Sequence, residues 1–307
     1  MKKVLSIATL LMLISAIFVS CSNDDGDDSP SNTNFRKLDQ VMAGSDLQSV
    51  TLETDLTWSE NQLTKIEAYD DDAVNNRNEI TYTNASSSTI SEINIYSTDD
   101  ERKTISCNLN SMLNKYFVHY LGLKSSELEL NMKLKPIYTN GKITKIEIYG
   151  NPEIKTLDYY GYLSIEYTNG NQTKASMIIS SELFNIEIMN MHAKWENGNI
   201  VAFYTKIIDV ENNKFTTLDS TVYKYDNKVN AYGSLKIYPM FEAQTSSNNN
   251  ITKELSYMKS DMSGRLLLYN TINYTYTYDG QNYPVSSVVS KTFGTITDTW
   301  VQKFEYK

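Results

Sequence analysis

The strongest constraint on this chain is a phrase that it repeats: an aromatic residue, a tight turn and a β-branched run. The phrase is clearest in "YTNGKITKIEIYG" from Tyr138 to Gly150, and it returns in "WENGNIVAFY" from Trp195 and "YTNG" from Tyr167. Asn-Gly between alternating residues signals a two-residue hairpin turn, because both central positions need positive φ and Asn and Gly tolerate it. Counting outward from Asn140-Gly141 pairs Thr139 with Lys142, Tyr138 with Ile143 and Ile137 with Thr144. The count at Asn197-Gly198 pairs Trp195 with Ile200 and Ala193 with Ala202 on one face, with His192, Lys194, Val201 and Phe203 on the other. At Asn169-Gly170 it sets Tyr167 against Gln172, so the aliphatic member is lost there. Aromatic against β-branched is a favourable cross-strand pair, worth roughly 0.2–1 kcal/mol.

Weaker copies begin at Trp58, Tyr82, Tyr225 and Tyr278. The spacing fits a unit of roughly 24–30 residues, each about two strands and two turns. The expected fold is therefore all-β: a long antiparallel β-meander of repeated hairpins, forming a curved or partly closed sheet. One segment differs. Leu109, Met112, Leu113, Tyr116, Phe117 and Tyr120 follow helical spacing, with Gly122 to end it, so a short amphipathic helix is expected near 109–121. Next, "ELELNMKLKP" alternates as a half-buried strand, with Leu128, Leu130, Met132 and Leu134 inward and Pro136 marking its limit.

The first residues set the destination. Two lysines, an apolar run of about 16 residues and a small-residue cleavage context make 1–20 a secretory signal peptide, too short to span a bilayer. Phe18-Val19-Ser20-Cys21 resembles the bacterial lipobox, which implies lipidation of Cys21; Phe18 departs from the usual Leu. Acyl chains gain about 0.8 kcal/mol per buried methylene, so two or three would anchor the chain. Residues 21–35, acidic and short of apolar side chains, read as a flexible tether. Their serine-plus-acidic run resembles the export signal of surface lipoproteins of the Bacteroidota type. That resemblance implies an outer-membrane lipoprotein exposed at the cell surface; a periplasm-facing position is the alternative. Residues 36–307 read as a single domain, with a sub-domain boundary near residue 125 as the lesser reading.

Composition removes other classes. With 37 acidic against 28 basic residues the chain has no footprint for nucleic acid. Of its two Cys, lipid takes one, which leaves Cys107 no disulfide partner.

The aromatic-x-Asn-Gly-x-aliphatic hairpins resemble tyrosine-aspartate (YD, or RHS-type) repeats and the β-meander lipoproteins of the Bacteroidota type, a group largely of unknown function. "YKYDNKVNAYGSLKIYPMF" followed by "SSNNNITKE" is similar to their Tyr-Asp-x-Lys-x-Asn-Pro-Tyr then Asn-Asn-x-x-Lys signature, with Ala231 in place of Pro. The resemblance covers roughly residues 50–307. It implies a secreted extended sheet and carries no catalytic residue across.

Candidate chemistry is sparse. His119 and His192 are the two histidines, and neither has a companion at metal-ligand spacing. Cys107 beside Ser106 could act as a nucleophile with His119 as base, but a buried structural thiol is the commoner role. Asp70-Asp71-Asp72 lacks the EF-hand spacing and reads first as a solvated turn, with a weak calcium site second. No cofactor and no metal are expected. The 23 tyrosines stand out. Tyr274, Tyr276 and Tyr278 share one strand face. Exposed, and joined by Trp195, they would form an aromatic platform for a glycan or another envelope protein; buried, they stabilise the sheet. The expected function is a lipid-anchored, non-enzymatic scaffold or binding surface whose activity the residues do not name. A carboxylate-based hydrolase of extracellular polymer and an inert repeat protein are the other readings.

Overall fold

The computed structural model describes residues 36–70, 73–85, 87–97, 129–151, 156–180, 185–209, 212–237, 242–260 and 263–307. The segments read as signal peptide and tether, Cys21, Cys107, His119, the helix expected at 109–121 and the boundary considered near 125 lie outside them.

The described chain is one antiparallel meander. Its first half runs β1 (Leu38–Gly44), β2 (Thr51–Ser59), β3 (Gln62–Asp70), β4 (Ala73–Tyr82), β5 (Ile90–Ser97), β6 (Glu129–Thr139), β7 (Lys142–Asn151) and β8 (Thr156–Thr168). The second half runs β9 (Asn171–Ser180), β10 (Asn185–Glu196), β11 (Asn199–Asp209), β12 (Lys214–Tyr225), β13 (Ile251–Lys259), β14 (Leu266–Tyr278), β15 (Pro284–Phe293) and β16 (Ile296–Tyr306). Each strand pairs with its chain neighbours, and β1 pairs with β16 from Leu38↔Tyr306 to Gly44↔Val301, so the sheet is a closed sixteen-strand barrel. Closure goes beyond the curved or partly closed sheet expected. It satisfies both edge strands, which would otherwise template pairing with other chains.

The Asn-Gly hairpins form as expected. Asn140, Asn169 and Asn197 each have φ 52°, and Gly141, Gly170 and Gly198 follow at 74°, 82° and 73°. Thr139↔Lys142, Tyr138↔Ile143, Trp195↔Ile200 and Tyr167↔Gln172 are direct pairs. The next pair out is not the one that counting gives: Ile137 meets Lys145 rather than Thr144, and Ala193 meets Phe203 rather than Ala202. A β-bulge beside each aromatic inserts one residue in the returning strand. The same irregularity lies beside Trp58, Tyr82, Tyr167, Tyr225 and Tyr278. Where the extra residue is Thr or Ser, its hydroxyl can donate to the carbonyl just before the aromatic: Thr64 to Thr57 at 3.1 Å, Ser91 to Thr81 at 3.0 Å and Thr252 to Lys224 at 3.2 Å. The bulge also moves Phe203 to the inner face with Ala193, each 7% exposed.

The bulged aromatics build a girdle, because most of their polar tips reach the backbone of the preceding hairpin, the Tyr278 hydroxyl going instead to Asp226. Trp58 Nε1 donates to Leu38 O (2.8 Å), Tyr82 Oη to Leu63 O (3.0 Å), Tyr167 Oη to Ile143 O (3.0 Å), and Trp195 Nε1 to Gln172 O (2.6 Å). Tyr225 Oη continues to Ile200 O (2.6 Å) and Tyr306 Oη to Pro284 O (2.9 Å). Each acceptor is the residue paired with the previous aromatic, so the repeat couples hairpin to hairpin around the circumference. At Tyr138 the direction reverses: its hydroxyl accepts from Ile90 N–H at 3.0 Å. That contact fits a correction to β6, which continues through Pro136 rather than ending there. The β5 ladder stops at Ile93↔Leu134, so beyond that pair Pro136's missing N–H breaks no ladder bond with β5.

In a one-layer closed sheet the shielded face is the inner one. Leu63, Ile66, Ile146, Leu163 and Met177 are fully or almost fully buried within a single apolar core that reaches from β1 to β16. The outer face carries Lys65–Glu67–Arg77, Glu92–Lys133, Lys145–Glu147 and Lys174–Glu166 ion pairs. A membrane-spanning barrel has the opposite arrangement, an apolar band outside and a polar interior. From β3 to β9 the outer face of this wall is charged instead.

Candidate functional site

The β12–β13 connection closes one end of the barrel. Here the Tyr225–Tyr232 and Asn248–Asn250 segments that carry the repeat resemblance meet. Asp226 Oδ1 accepts from Lys228 N–H (2.9 Å) and Asn250 N–H (3.1 Å), and its Oδ2 accepts from Tyr278 Oη and from Asn250 Nδ2 (3.2 Å). Asn250 Oδ1 accepts from Ala231 N–H, and Asn230 Nδ2 donates to Gln244 O and Ser247 O. A 3-10 turn at Gly233–Ile237 and a one-turn helix, α1 (Ala243–Ser246), then lie across the end. Tyr232 packs edge-on against Phe304 at 5.9 Å, Ser247 Oγ accepts from Ile200 N–H, and Ser234 Oγ accepts from Leu38 N–H. The signature is thus an architectural clamp that holds a cap over the girdle.

The cap makes one turn special. Gly198 needs φ 73° and its Cα faces the Asn248 side chain, whereas Gly141, at φ 74°, has nothing within 4 Å. Gly141→Ala is expected to cost about 1 kcal/mol, the penalty of a Cβ in left-handed backbone. Gly198→Ala should cost more, since the Asn248 side chain must also move and give up its bond from Lys236. Urea midpoints of the two variants measure the difference, and equal midpoints would deny the contact between turn and cap.

The two halves of the interior differ. From β1 to β11 the inner face is largely apolar and packed. From β12 to β16 it is polar and aromatic: Tyr223, Glu254, Ile272, Lys291 and Asp298 stand directly opposite one another in consecutive strands. Tyr223, Glu254, Tyr276, Lys291 and Trp300 face inward yet keep intermediate exposure. They line the chamber that β12 to β16 enclose. Tyr274 Oη donates to Glu254 Oε1 at 2.7 Å. Below it, Gln302 is 1% exposed; its Oε1 accepts from Ser287 Oγ at 3.1 Å, and its Nε2, like Trp300 Nε1, has no partner among the described residues.

Electrostatics mark the chamber as well. Burial raises the Glu254 carboxyl, with the Tyr274 hydrogen bond and the Lys291 charge holding it back. Burial, then the nearby Glu254, raises Glu242 well above the usual carboxylate range. Asp219, towards the mouth, is pushed up to about 6 by burial, against relief from Thr205 opposite it. The mouth is the end away from the cap. Its rim at β13–β16 is apolar and exposed: Met258, Leu267, Phe293 and Ile296 are 44%, 55%, 49% and 63% exposed.

The platform expected of Tyr274, Tyr276 and Tyr278 is corrected here. The three rings do share a face, at centroid spacings of 6.1 and 6.0 Å, but that face is the inner one, and Tyr274 is only 5% exposed. The inside of the barrel is the apolar place for a ring, and Glu254 and Asp226 satisfy the hydroxyls of Tyr274 and Tyr278 there. Trp195 belongs to the girdle, away from the chamber. His192 lies on the outer face, stacked on Tyr204 at 5.5 Å with Nε2 2.9 Å from Asn190 Oδ1; burial and then Lys206 and Lys174 lower its pKa. Among the described residues no group of three His, Cys, Asp or Glu is placed to hold a metal. Asp71 and Asp72 lie outside them. Counting motifs missed Glu254, Lys291, Trp300 and Gln302. The available signal was "STVYKY" in β12, a strand polar at both alternating sets of positions, which in a closed sheet means a polar interior.

No family model matches the chain, and no curated protein matches it in sequence. Among solved structures, it is similar to a porin-like protein from Bacteroides uniformis, at 11% identity over 88% of this chain and 98% of that one, with a TM-score of 0.45. A porin-like protein from Bacteroides vulgatus gives 10% identity over 89% and 99%, at 0.37. A protein of unknown function from Bacteroides fragilis gives 13% over 46% and 90%, at 0.34. All three scores fall below 0.5, and the architecture stated above rests on this chain's own strand register.

Proposed function

We propose that this chain is a lipid-anchored protein of the outer-membrane surface whose barrel stands in water and acts as a non-enzymatic binding module, its chamber opening away from the membrane. The observation that carries the reading is the position of Arg36 at the capped end of the barrel. Arg36 is tied to the capped end, through an ion pair from Nη1 to Asp279 Oδ2 at 2.7 Å and a guanidinium stacked 5.0 Å from the Tyr283 ring. A tether to a lipid on Cys21 therefore leaves from the closed end, and the apolar mouth points outward. The charged outer face supports an anchor rather than an embedded wall, since each lipid-facing Lys or Arg at mid-bilayer depth costs about 2–4 kcal/mol.

Cys21→Ala tests it. The unsubstituted protein should fractionate with outer membranes and be digested by protease added to whole cells, while the variant should become soluble. Retention of the variant in the outer-membrane fraction, with its apolar leader removed, would show that the barrel itself is embedded and would end this reading. A hydrolase reading draws on the second buried acid, Glu242, near enough to Glu254 to raise it. It expects turnover of a bound polymer to be lost in Glu254→Gln, where the binding module expects no turnover in either form.

A further inference from the structure

We infer that the chamber between β12 and β16 binds a neutral, hydroxyl-rich ligand of the size of a mono- or disaccharide, received through the apolar mouth. The inference rests on the binding-module reading and names its ligand class. Three observations lead to it.

The first is the set of unpaired groups. Gln302 is almost wholly buried with Nε2 unpartnered, Trp300 Nε1 is buried without an acceptor, and Asn270 Oδ1 is buried without a donor, all among the described residues. A buried donor or acceptor without a partner is costly, so a ligand that fills this space must supply both acceptors and donors. Hydroxyl groups do both, each offering one donor and two acceptor sites. A purely apolar ligand would leave all three groups unpaired.

The second is charge. Lys291 stands opposite Asp298 on β16 and against Ile272 on β14, with Glu254 one strand further on. Cation and carboxylates thus alternate across the chamber. An anionic ligand would meet Glu254 and Asp298, and a cationic one would meet Lys291. A neutral polar ligand has no like charge to face.

The third is the aromatic surface. Tyr223, Tyr276 and Trp300 present rings to the lumen with intermediate exposure. Such rings give apolar planes to the C–H faces of a sugar while their tips remain polar. The exposed apolar rim formed by Met258, Leu267, Phe293 and Ile296 offers no hydrogen-bonding side chain to compete for a ligand's hydroxyls at the entrance.

The test uses the full lipidated chain in detergent micelles. It is titrated with glucose, galactose, mannose, N-acetylglucosamine and their disaccharides, and tryptophan fluorescence and saturation-transfer NMR are followed. At least one sugar should saturate with a Kd of about millimolar or tighter. Gln302→Leu should weaken it by about ten-fold or more, while Thr275→Ala on the outer face should leave it unchanged. Trp300→Phe should remove the fluorescence response and weaken the binding seen by NMR, since it keeps a ring but deletes the Nε1 donor. Urea unfolding of each variant separates lost binding from lost folding. The apolar probe N-phenyl-1-naphthylamine is titrated in parallel. If the probe binds in a Trp300-dependent way and no sugar does, the ligand class is overturned and the binding module stands. If neither binds, both fall. A sugar response undiminished in Gln302→Leu would place the site elsewhere and overturn the inference.

Discussion

Asp226→Ala is expected to be the most destabilising single substitution in the cap, costing about 3–5 kcal/mol. The carboxylate accepts from the backbone N–H groups of Lys228 and Asn250, the Asn250 side-chain amide and the Tyr278 hydroxyl. Removing it leaves partly buried donors unpaired and frees the Asn250 side chain that holds Ala231 and Val229. Hydrogen bonds to charged groups are worth about 1.5–3 kcal/mol each, though not additively. Asp226→Asn keeps an acceptor for the two backbone N–H groups on Oδ1 but loses the Oδ2 acceptor of both Tyr278 Oη and Asn250 Nδ2, so it should cost less than the alanine variant, about 2–3 kcal/mol. Urea unfolding gives both values; an alanine variant within about 1 kcal/mol of the unsubstituted protein would mean that the clamp does not hold the cap.

Asp219→Asn should act in the other direction. The native carboxyl titrates at about 6 against an ordinary 3.8, because burial near the mouth disfavours its charge. A raised acid pKa means that the unfolded chain loses its proton first as pH climbs, so stability falls with rising pH across the window from about 4 to 6. A shift of this size corresponds to about 3 kcal/mol, lost almost fully by pH 7. An asparagine carries no charge at any pH. The variant should therefore match the unsubstituted protein at pH 4 and exceed it by about 2–3 kcal/mol at pH 7, the relief from Thr205 being already contained in the titration near 6. Denaturation at the two pH values decides it, and a gain of equal size at both would show that the effect is packing rather than ionisation. A stabilising loss of charge at the rim is what a chamber kept polar for binding would show.

Much of the fold was legible because it is local. The Asn-Gly turns at 140, 169 and 197 fix their hairpins by backbone sterics alone, and the pairs next to them follow by counting. The count failed one pair further out because each aromatic tip bonds to a neighbouring hairpin, and the bulge beside it depends on a partner outside the counted segment. Thr64, Ser91 and Thr252 were visible in the sequence, but their hydroxyls gain meaning only once the bulge exists. The candidate site was less legible. Tyr274, Tyr276 and Tyr278 were placed on one face correctly, yet a strand's alternation separates two faces without saying which one is enclosed. The motif that gave the family resemblance, around Asp226 and Asn250, became a cap, and the chamber is lined by residues that belong to no motif.

The amino-acid sequence by itself determined the strands, their turns and the aromatic-to-partner pairing, since these depend on φ preferences and on neighbours a few residues away. Only the tertiary structure decided that β1 closes on β16, that the tyrosines turn inward and that one half of the interior is polar. Closure is a property of all sixteen strands at once, and inside and outside have no meaning until the last strand meets the first.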